Sequence, residues 1–319
     1  MARIVITGGS GFIGTNLISF LAESKHDIVN FDMAAPRNHE HQAYWHNVDI
    51  VDRESLMREM VAFQPDYVVH LAARTDLNGT GVSHYASNTV GTENILAAVA
   101  KCVGVKKVIV TSSMLVCRAG YQPKDQFDYS PTTPYGESKV QTERITWENP
   151  PACDWVLIRP TSIWGPWFGA PYRDFFDMLL KRRFIKFGKR ACTKTYGFVG
   201  NAVRQIESLL FCDTNGQAQK VFYIGDYAPI NINEWADEIA GLLGYRVSTV
   251  PYWVARLAAW TGDALKLAGI RFPLTSFRLR NMTTDNMIDL SETRKRVGGV
   301  QISRKEGVIA TLAWLGVKF

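Results

Sequence analysis

Through the first half of the chain, short apolar runs rich in β-branched residues alternate with longer amphipathic stretches. Residues 3–7, 27–32, 66–73, 105–113 and 155–160 read as strands, and Asn47-Val-Asp49-Ile50 reads as the end of another. Residues 15–23 and 88–100 carry helical patterning between them. Beyond residue 160 the signal thins. Residues 175–180, 234–243 and 253–267 have helical apolar spacing, and proline, glycine and aromatic residues punctuate the connections. The 253–267 stripe has the outline of a membrane-surface helix, but its polar face is not strongly basic, so packing into a core is expected of it.

The first junction carries candidate chemistry. Strand 3–7 runs into Gly8-Gly-Ser-Gly11-Phe12-Ile13-Gly14 and then a helix. Gly8 and Gly11 permit a tight turn and let backbone N–H groups approach a pyrophosphate, while Gly14 lets the helix lie close to the strand. The anion then sits at the positive helix N-terminus. Asp32 ends the second strand about 20 residues further on, where a ribose diol would lie. It favours NAD over NADP, whose 2′-phosphate it would repel; Arg37 nearby works against that preference. Asp49, beside Ile50, reads equally as a polar group meeting an adenine edge or as a plain strand cap. The fourth strand ends in Leu71-Ala72-Ala73, where small residues let backbone lie against a cofactor. The fifth ends in Thr111-Ser112-Ser113, a hydroxyl cluster at the strand end where open α/β sheets bind ligands.

Composition narrows the class. With 319 residues, 46% hydrophobic and 21% charged, the chain can form one large or two intimate globular domains. Five cysteines (Cys102, Cys117, Cys153, Cys192 and Cys212) are widely spaced with no Cys-x-x-Cys pair, so neither a disulfide framework nor a metal site is expected. The net charge is +6, with Lys181-Arg182-Arg183, Lys186, Lys189 and Arg190 as the dense patch. No nucleic-acid recognition motif accompanies that patch, which reads as a solvated face or a site for a small anion. No apolar run approaches the ~20 residues of a membrane span, and the N-terminus enters a strand directly, so a cytoplasmic protein with no membrane partner is expected.

Tyr135 and Lys139 lie four apart on a helix opened by Pro134 and project from one face. If that face looks into a cofactor cleft, the ammonium would lower the phenol pKa and let Tyr135 exchange a proton near neutral pH. The pair stands with Thr7-Gly-Gly-Ser-Gly-Phe-Ile-Gly14, Asp32, His70-Leu-Ala-Ala73, Asn88-Thr-Val-Gly-Thr92, Thr111-Ser-Ser113 and Arg159-Pro-Thr-Ser-Ile-Trp-Gly-Pro166. In that order these motifs resemble the extended short-chain dehydrogenase/reductase family, in its NAD-dependent epimerase/dehydratase branch. The resemblance is strong over residues 1–170 and looser beyond.

That resemblance implies an α/β fold, a doubly wound parallel Rossmann sheet with a smaller, interleaved C-terminal substrate domain. Residues 1–165 would form the NAD-binding part, with returns near 193–226, and 166–319 mainly the substrate part. It implies Tyr135 as general acid/base, Lys139 as holder of the nicotinamide ribose and Ser113 as hydrogen-bond partner of the reacting oxygen. The cofactor would be NAD, held by the residues above together with Asn88, Thr111 and Pro160. Thr161, Ser162, Lys194 and Arg278 or Arg280 would meet the substrate, the cations facing a diphosphate.

Departures from family patterns narrow the reaction. Sugar 4,6-dehydratases carry an Asp-Glu pair where this chain has Met114-Leu115, which disfavours dehydration. Cys117, Ser162 and Gly200-Asn201 depart from the patterns of typical sugar epimerases. The expectation is an NAD-dependent 4-epimerase of a nucleotide-activated sugar, working as a homodimer. Its rivals are a keto-sugar reductase or dehydrogenase, a hydroxysteroid-dehydrogenase-like oxidoreductase, and a non-catalytic dinucleotide-sensing scaffold. The intact Ser113, Tyr135 and Lys139 set argues against the last.

Overall fold

Ile4, Val5, Ile6, Val68, Val69, Val108, Ile109, Val110, Val156, Leu157 and Ile158 are fully buried, because their strands are apolar on both faces and are covered on both. The computed structural model describes residues 1–188, 192–267, 275–276, 279, 283–299 and 301–318. Its elements begin β1 (Arg3–Thr7), α1 (Phe12–Ala22), β2 (Asp27–Asp32), β3 (Trp45–Asn47), α2 (Arg53–Phe63), β4 (Tyr67–His70), α3 (Val90–Val99), β5 (Lys107–Thr111), α4 (Pro134–Glu148) and β6 (Asp154–Pro160). They continue as β7 (Ser162–Trp164), α5 (Tyr172–Leu180), β8 (Ile185–Phe187), β9 (Thr193–Lys194), β10 (Tyr196–Phe198), α6 (Val199–Phe211) and β11 (Val221–Ile224). The last are β12 (Ile230–Asn231), α7 (Ile232–Leu242), β13 (Ser248–Val250), α8 (Tyr252–Leu267), α9 (Ser291–Val297) and α10 (Arg304–Trp314).

The central sheet has the strand order β11-β6-β5-β4-β1-β2-β3 and is parallel throughout. Alternate residues of one strand go to opposite layers. Ile4 and Ile6 join a core with α1 and α6, while Val5, Val29 and Val68 join one with α2 and α3. The chain winds outward from β1 in one direction and returns to place β4 on its other side. This reversal leaves a crevice beyond the carboxyl ends of β1 and β4, where doubly wound sheets bind ligands.

Strand ends differ from the sequence expectation for one reason. The β1–β4 ladder closes on the Thr7–His70 pair, with Leu71 N donating to the Thr7 carbonyl at 3.0 Å before the two chains part. Leu71, Ala72 and Ala73 therefore leave β4, as Ser112 and Ser113 leave β5, and β3 stops at Asn47 with Val48, Asp49 and Ile50 beyond it. His70 ties the layers together, its ring nitrogens 2.7 Å from Thr7 Oγ1 and 3.3 Å from Thr92 Oγ1. Burial holds that imidazole neutral, its pKa lowered to about 3.

In the second half, aromatic side chains do the work of a sheet. Trp235 lies 4.9 Å from Trp164 and 5.6 Å from Phe176 between ring centroids, fastening α7 and α5 to β7. The same apolar cluster continues into the α1–α6 face of the sheet. Helix α8 forms where the spacing predicts it but is not absorbed into a core as expected. Its small residues Ala255 and Ala259 are buried, and Trp253 and Trp260 stand 65% and 52% exposed. No helix among the described residues is long and apolar enough to cross a membrane.

Candidate active site

A cleft of about 700 Å³ opens along the carboxyl ends of the central strands. Gly8, Gly11, Phe12, Ile13 and Gly14 line it from the first turn, Asp32, Asp49 and Ile50 from the β2–β3 side, and Leu71, Ala72 and Ala73 from after β4. Thr111, Ser113, Tyr135, Lys139, Pro160 and Thr161 form the opposite wall.

The glycine turn is held by contacts that a larger residue would break. A Cβ on Gly14 would fall 2.3 Å from the Gly8 carbonyl oxygen, so only glycine lets α1 start this close to β1. Gly11 caps α1 without a side-chain hydrogen bond, so no side chain competes with an anion for the helix's first N–H groups. Behind the turn, Gly9 N–H donates to Asn30 Oδ1 at 2.8 Å. Sequence reading missed Asn30; its signal was one amide inside an apolar strand. The Asp32 carboxylate accepts from Ser10 N at 3.0 Å and Ala34 N at 2.9 Å, and burial pushes its pKa up despite these bonds. Arg37 donates to the Trp167 carbonyl at 2.8 Å, which draws it across the cleft mouth. Asp49 Oδ1 accepts from Val51 N at 2.8 Å, so it caps the strand end and lines the cleft at once.

Tyr135 reaches Ser113 because two backbones touch. Thr133 caps α4 by accepting from Gly136 N at 3.0 Å, with Pro134 in the first turn. A Cβ on Gly136 would lie 2.3 Å from the Leu115 carbonyl oxygen, so this glycine sets the first turn of α4 directly on the turn after β5. The Ser113 hydroxyl accepts from Leu115 N at 3.1 Å, and it lies near enough to the Tyr135 phenol to favour its ionised form. Lys139 Nζ donates to the Thr111 carbonyl at 2.8 Å.

The electrostatics correct the sequence expectation. Burial pushes the Tyr135 phenol up to about 12, with the nearby Ser113 hydroxyl opposing, and burial lowers the Lys139 amine to about 7. A low-dielectric cleft penalises both charges, so the lysine does not hold the phenol down and Tyr135 rests as the proton-bearing form. The hydroxyls of Thr111 and Thr161 are buried on the cleft wall without a hydrogen-bond partner among the described residues. Two orphaned hydroxyls and an uncapped helix start fit a ligand rich in phosphate and sugar oxygens, as a dinucleotide is.

Sequence reading also missed Glu143, one helical turn beyond Lys139 on the same stripe. It is fully buried and accepts from Arg159 Nε at 2.8 Å, Arg159 Nη2 at 2.7 Å, Tyr129 Oη at 2.9 Å and the Ser112 hydroxyl. Burial works against the Arg159 charge, but Glu143 more than restores it and the guanidinium pKa is raised. This buried pair fastens Ser112, and with it Ser113, to α4 and β6.

Three expected contacts lie elsewhere. Asn88 does not line the cleft; its amide donates to the Arg74 carbonyl at 3.1 Å and Ser138 Oγ at 2.9 Å, and accepts from Arg74 N at 2.9 Å. Ser162 lies behind the wall, accepting from the Tyr172 hydroxyl at 3.1 Å. Tyr172 itself lines the cleft. Lys194 is on β9, in register with Ile230 and bridged to Asn286. Arg278 and Arg280 lie outside the described residues.

The model of the NAD dependent epimerase/dehydratase family matches residues 4–225. An N-acetyl-α-D-glucosaminyl-diphospho-ditrans,octacis-undecaprenol 4-epimerase of Escherichia coli O157:H7 is 27% identical over 98% of this chain and 95% of its own. A 3β-hydroxysteroid dehydrogenase/Δ5→4-isomerase of Mycobacterium tuberculosis is 29% identical over 77% of this chain and 70% of its own. Among solved structures, UDP-glucose 4-epimerase of Thermotoga maritima with UDP-glucose superposes with a TM-score of 0.74, at 22% identity and 98% coverage of both chains.

Proposed function

As a member of the NAD-dependent epimerase/dehydratase family this chain is an NAD-using enzyme, and we propose that it inverts carbon 4 of a diphosphate-activated sugar, with a nucleotide as the leading carrier. The observation that carries this reading is Ser113 and Tyr135 together on the cleft wall, with Met114 and Leu115 directly after Ser113. One proton-transfer group serves oxidation and re-reduction at a single carbon. Dehydration needs further groups to move protons at neighbouring carbons, and a thioether and an isobutyl group can move none. The Escherichia coli relative and the Thermotoga maritima epimerase are both described as 4-epimerases, and both act on sugars joined to a diphosphate.

Bound NAD supplies the hydride acceptor and donor. The chain's own residues do the rest. Tyr135, once its phenol has given up its own proton, takes that of the sugar hydroxyl as the carbonyl forms and gives it back on reduction, while Ser113 holds that oxygen by hydrogen bond. Lys139 holds the nicotinamide ribose, the start of α1 the pyrophosphate, and Asp32 the adenosine ribose diol. Asp49 and Ile50 flank the adenine, and Leu71, Ala72, Ala73 and Pro160 bound the cofactor along the cleft. Thr111 and Thr161 lend their unused hydroxyls, and Lys194 on β9, beyond the cleft lining, is the cation toward which the substrate diphosphate extends. Residues 166–319 supply most of the substrate side.

A second reading, an oxidoreductase of an apolar alcohol or ketone, draws on the Mycobacterium tuberculosis relative. The two separate in one experiment. The purified protein is incubated with UDP-glucose, UDP-galactose and their N-acetylated forms, and inversion at carbon 4 is followed by proton NMR. Tyr135→Phe should lower turnover by ~10² or more while leaving NAD bound, as expected for loss of a general acid/base. No inversion of any of these sugars, together with NAD-linked oxidation of a sterol alcohol, would overturn the epimerase reading.

A further inference from the structure

Helix α8 turns its small side to the protein and its large side to solvent. Ala255 and Ala259 pack with Leu279, Phe187 and Tyr252. Trp253, Leu257 and Trp260 form one stripe on the outer face, Leu257 being 50% exposed. The Arg256 guanidinium lies 4.7 Å from the centre of the Trp260 ring. Scattered surface hydrophobes need no explanation, but two indoles and a leucine aligned on one helix call for a cover.

The charge of this helix and of the paired strands that lead into it says what kind. Strand β13 leads through Pro251 into α8 and pairs with β8. Residues 181–188 and 245–265 hold Lys181, Arg182, Arg183, Lys186, Arg246 and Arg256, with Asp263 as the one carboxylate in those stretches. Lys186 is neutralised by Asp237 of α7 at 2.7 Å. The other five cations are exposed. Set against Asp263 they leave a net charge of +4, of the +6 carried by the whole chain. Twofold contact with another copy through this face would set these cations against their own images, which costs rather than favours association. Indoles prefer the boundary between lipid headgroups and acyl chains, and basic side chains beside them pair with anionic lipid phosphates.

We propose that the Trp253–Leu257–Trp260 face of α8 docks this protein peripherally on an anionic lipid bilayer, with its indoles in the headgroup boundary and the cations of 181–183, 246 and 256 on lipid phosphates. The helix lies in the membrane plane and does not cross it. This surface is separate from the cleft chemistry and stands whether the substrate is a sugar or a sterol.

The test uses the full chain, vesicles of phosphatidylcholine alone, and vesicles of phosphatidylcholine mixed with phosphatidylglycerol. The protein should float with the mixed vesicles, at least ~tenfold more strongly than with phosphatidylcholine alone, with a blue shift of tryptophan emission and weakening as salt rises. Trp253→Ser with Trp260→Ser should cut that partition by ~tenfold or more, with unchanged thermal unfolding and NAD binding. Arg246→Gln with Arg256→Gln, which leaves the stripe intact, should flatten the salt dependence. Failure of the wild-type protein to float with mixed vesicles overturns the proposal. So does an oligomer in sedimentation that the tryptophan variants dissociate, since a protein surface would then be the cover.

Discussion

Replacing Lys139 by methionine should make the cofactor-free protein more stable and inactive. Burial holds the amine near 7 against 10.5 for a free lysine. The unfolded chain therefore binds the proton more strongly than the folded one between those values, and stability from this group rises as pH rises through that window. Its penalty is complete below about pH 7 and gone above about 10.5. At ~1.4 kcal/mol per pH unit the penalty is ~4–5 kcal/mol at pH 7 and ~2 kcal/mol at pH 9. Methionine fills similar space without the charge but forfeits the hydrogen bond to the Thr111 carbonyl, a loss of ~1 kcal/mol. The net gain is then ~3 kcal/mol at pH 7, ~1 kcal/mol at pH 9, and a slight loss by pH 10.5. With unfolding entropy scaling with chain length, ~3 kcal/mol raises Tm by about 4 °C in a chain this long. Thermal unfolding of the NAD-free protein at a series of pH values measures the difference directly. A variant less stable than wild type at pH 7, or a gain that does not shrink as pH rises, refutes the reasoning.

Glu143→Ala should destabilise by ~3–5 kcal/mol in denaturant titration, because it leaves the buried Arg159 charge unpaired; adding Arg159→Met should recover part of the loss, and strict additivity of the two would show that the pair is not coupled. Calorimetric titration should find NAD binding more tightly than NADP, since the Asp32 carboxylate would repel a 2′-phosphate, and the reverse order would remove Asp32 from ribose recognition. Lys194→Ala should raise KM for a diphosphate-linked sugar by roughly tenfold to a hundredfold with NAD affinity nearly unchanged, and an unchanged KM would place the diphosphate elsewhere.

What the sequence by itself determined is local or repeats at short period. The strands at 3–7 and 27–32, the glycine turn between β1 and α1, and the common face of Tyr135 and Lys139 depend on neighbouring residues, and each stands where the pattern put it. Long-range geometry was decided only by the tertiary structure. Ser113 meets Tyr135 because Gly136 lets α4 touch the Leu115 carbonyl, and Glu143 finds Arg159 across two elements; neither contact has a periodic signal. Asn88 stands in its motif but spends its amide on Arg74 and Ser138 rather than in the cleft. The direction in which Tyr135 and Lys139 titrate follows from how much water the folded cleft excludes, a quantity no spacing reports. Helix α8 shows the same division. Its period foretold two faces, but which face the protein covers was settled by packing, where Ala255 and Ala259 allow a closer approach to Phe187 and Leu279 than tryptophan could.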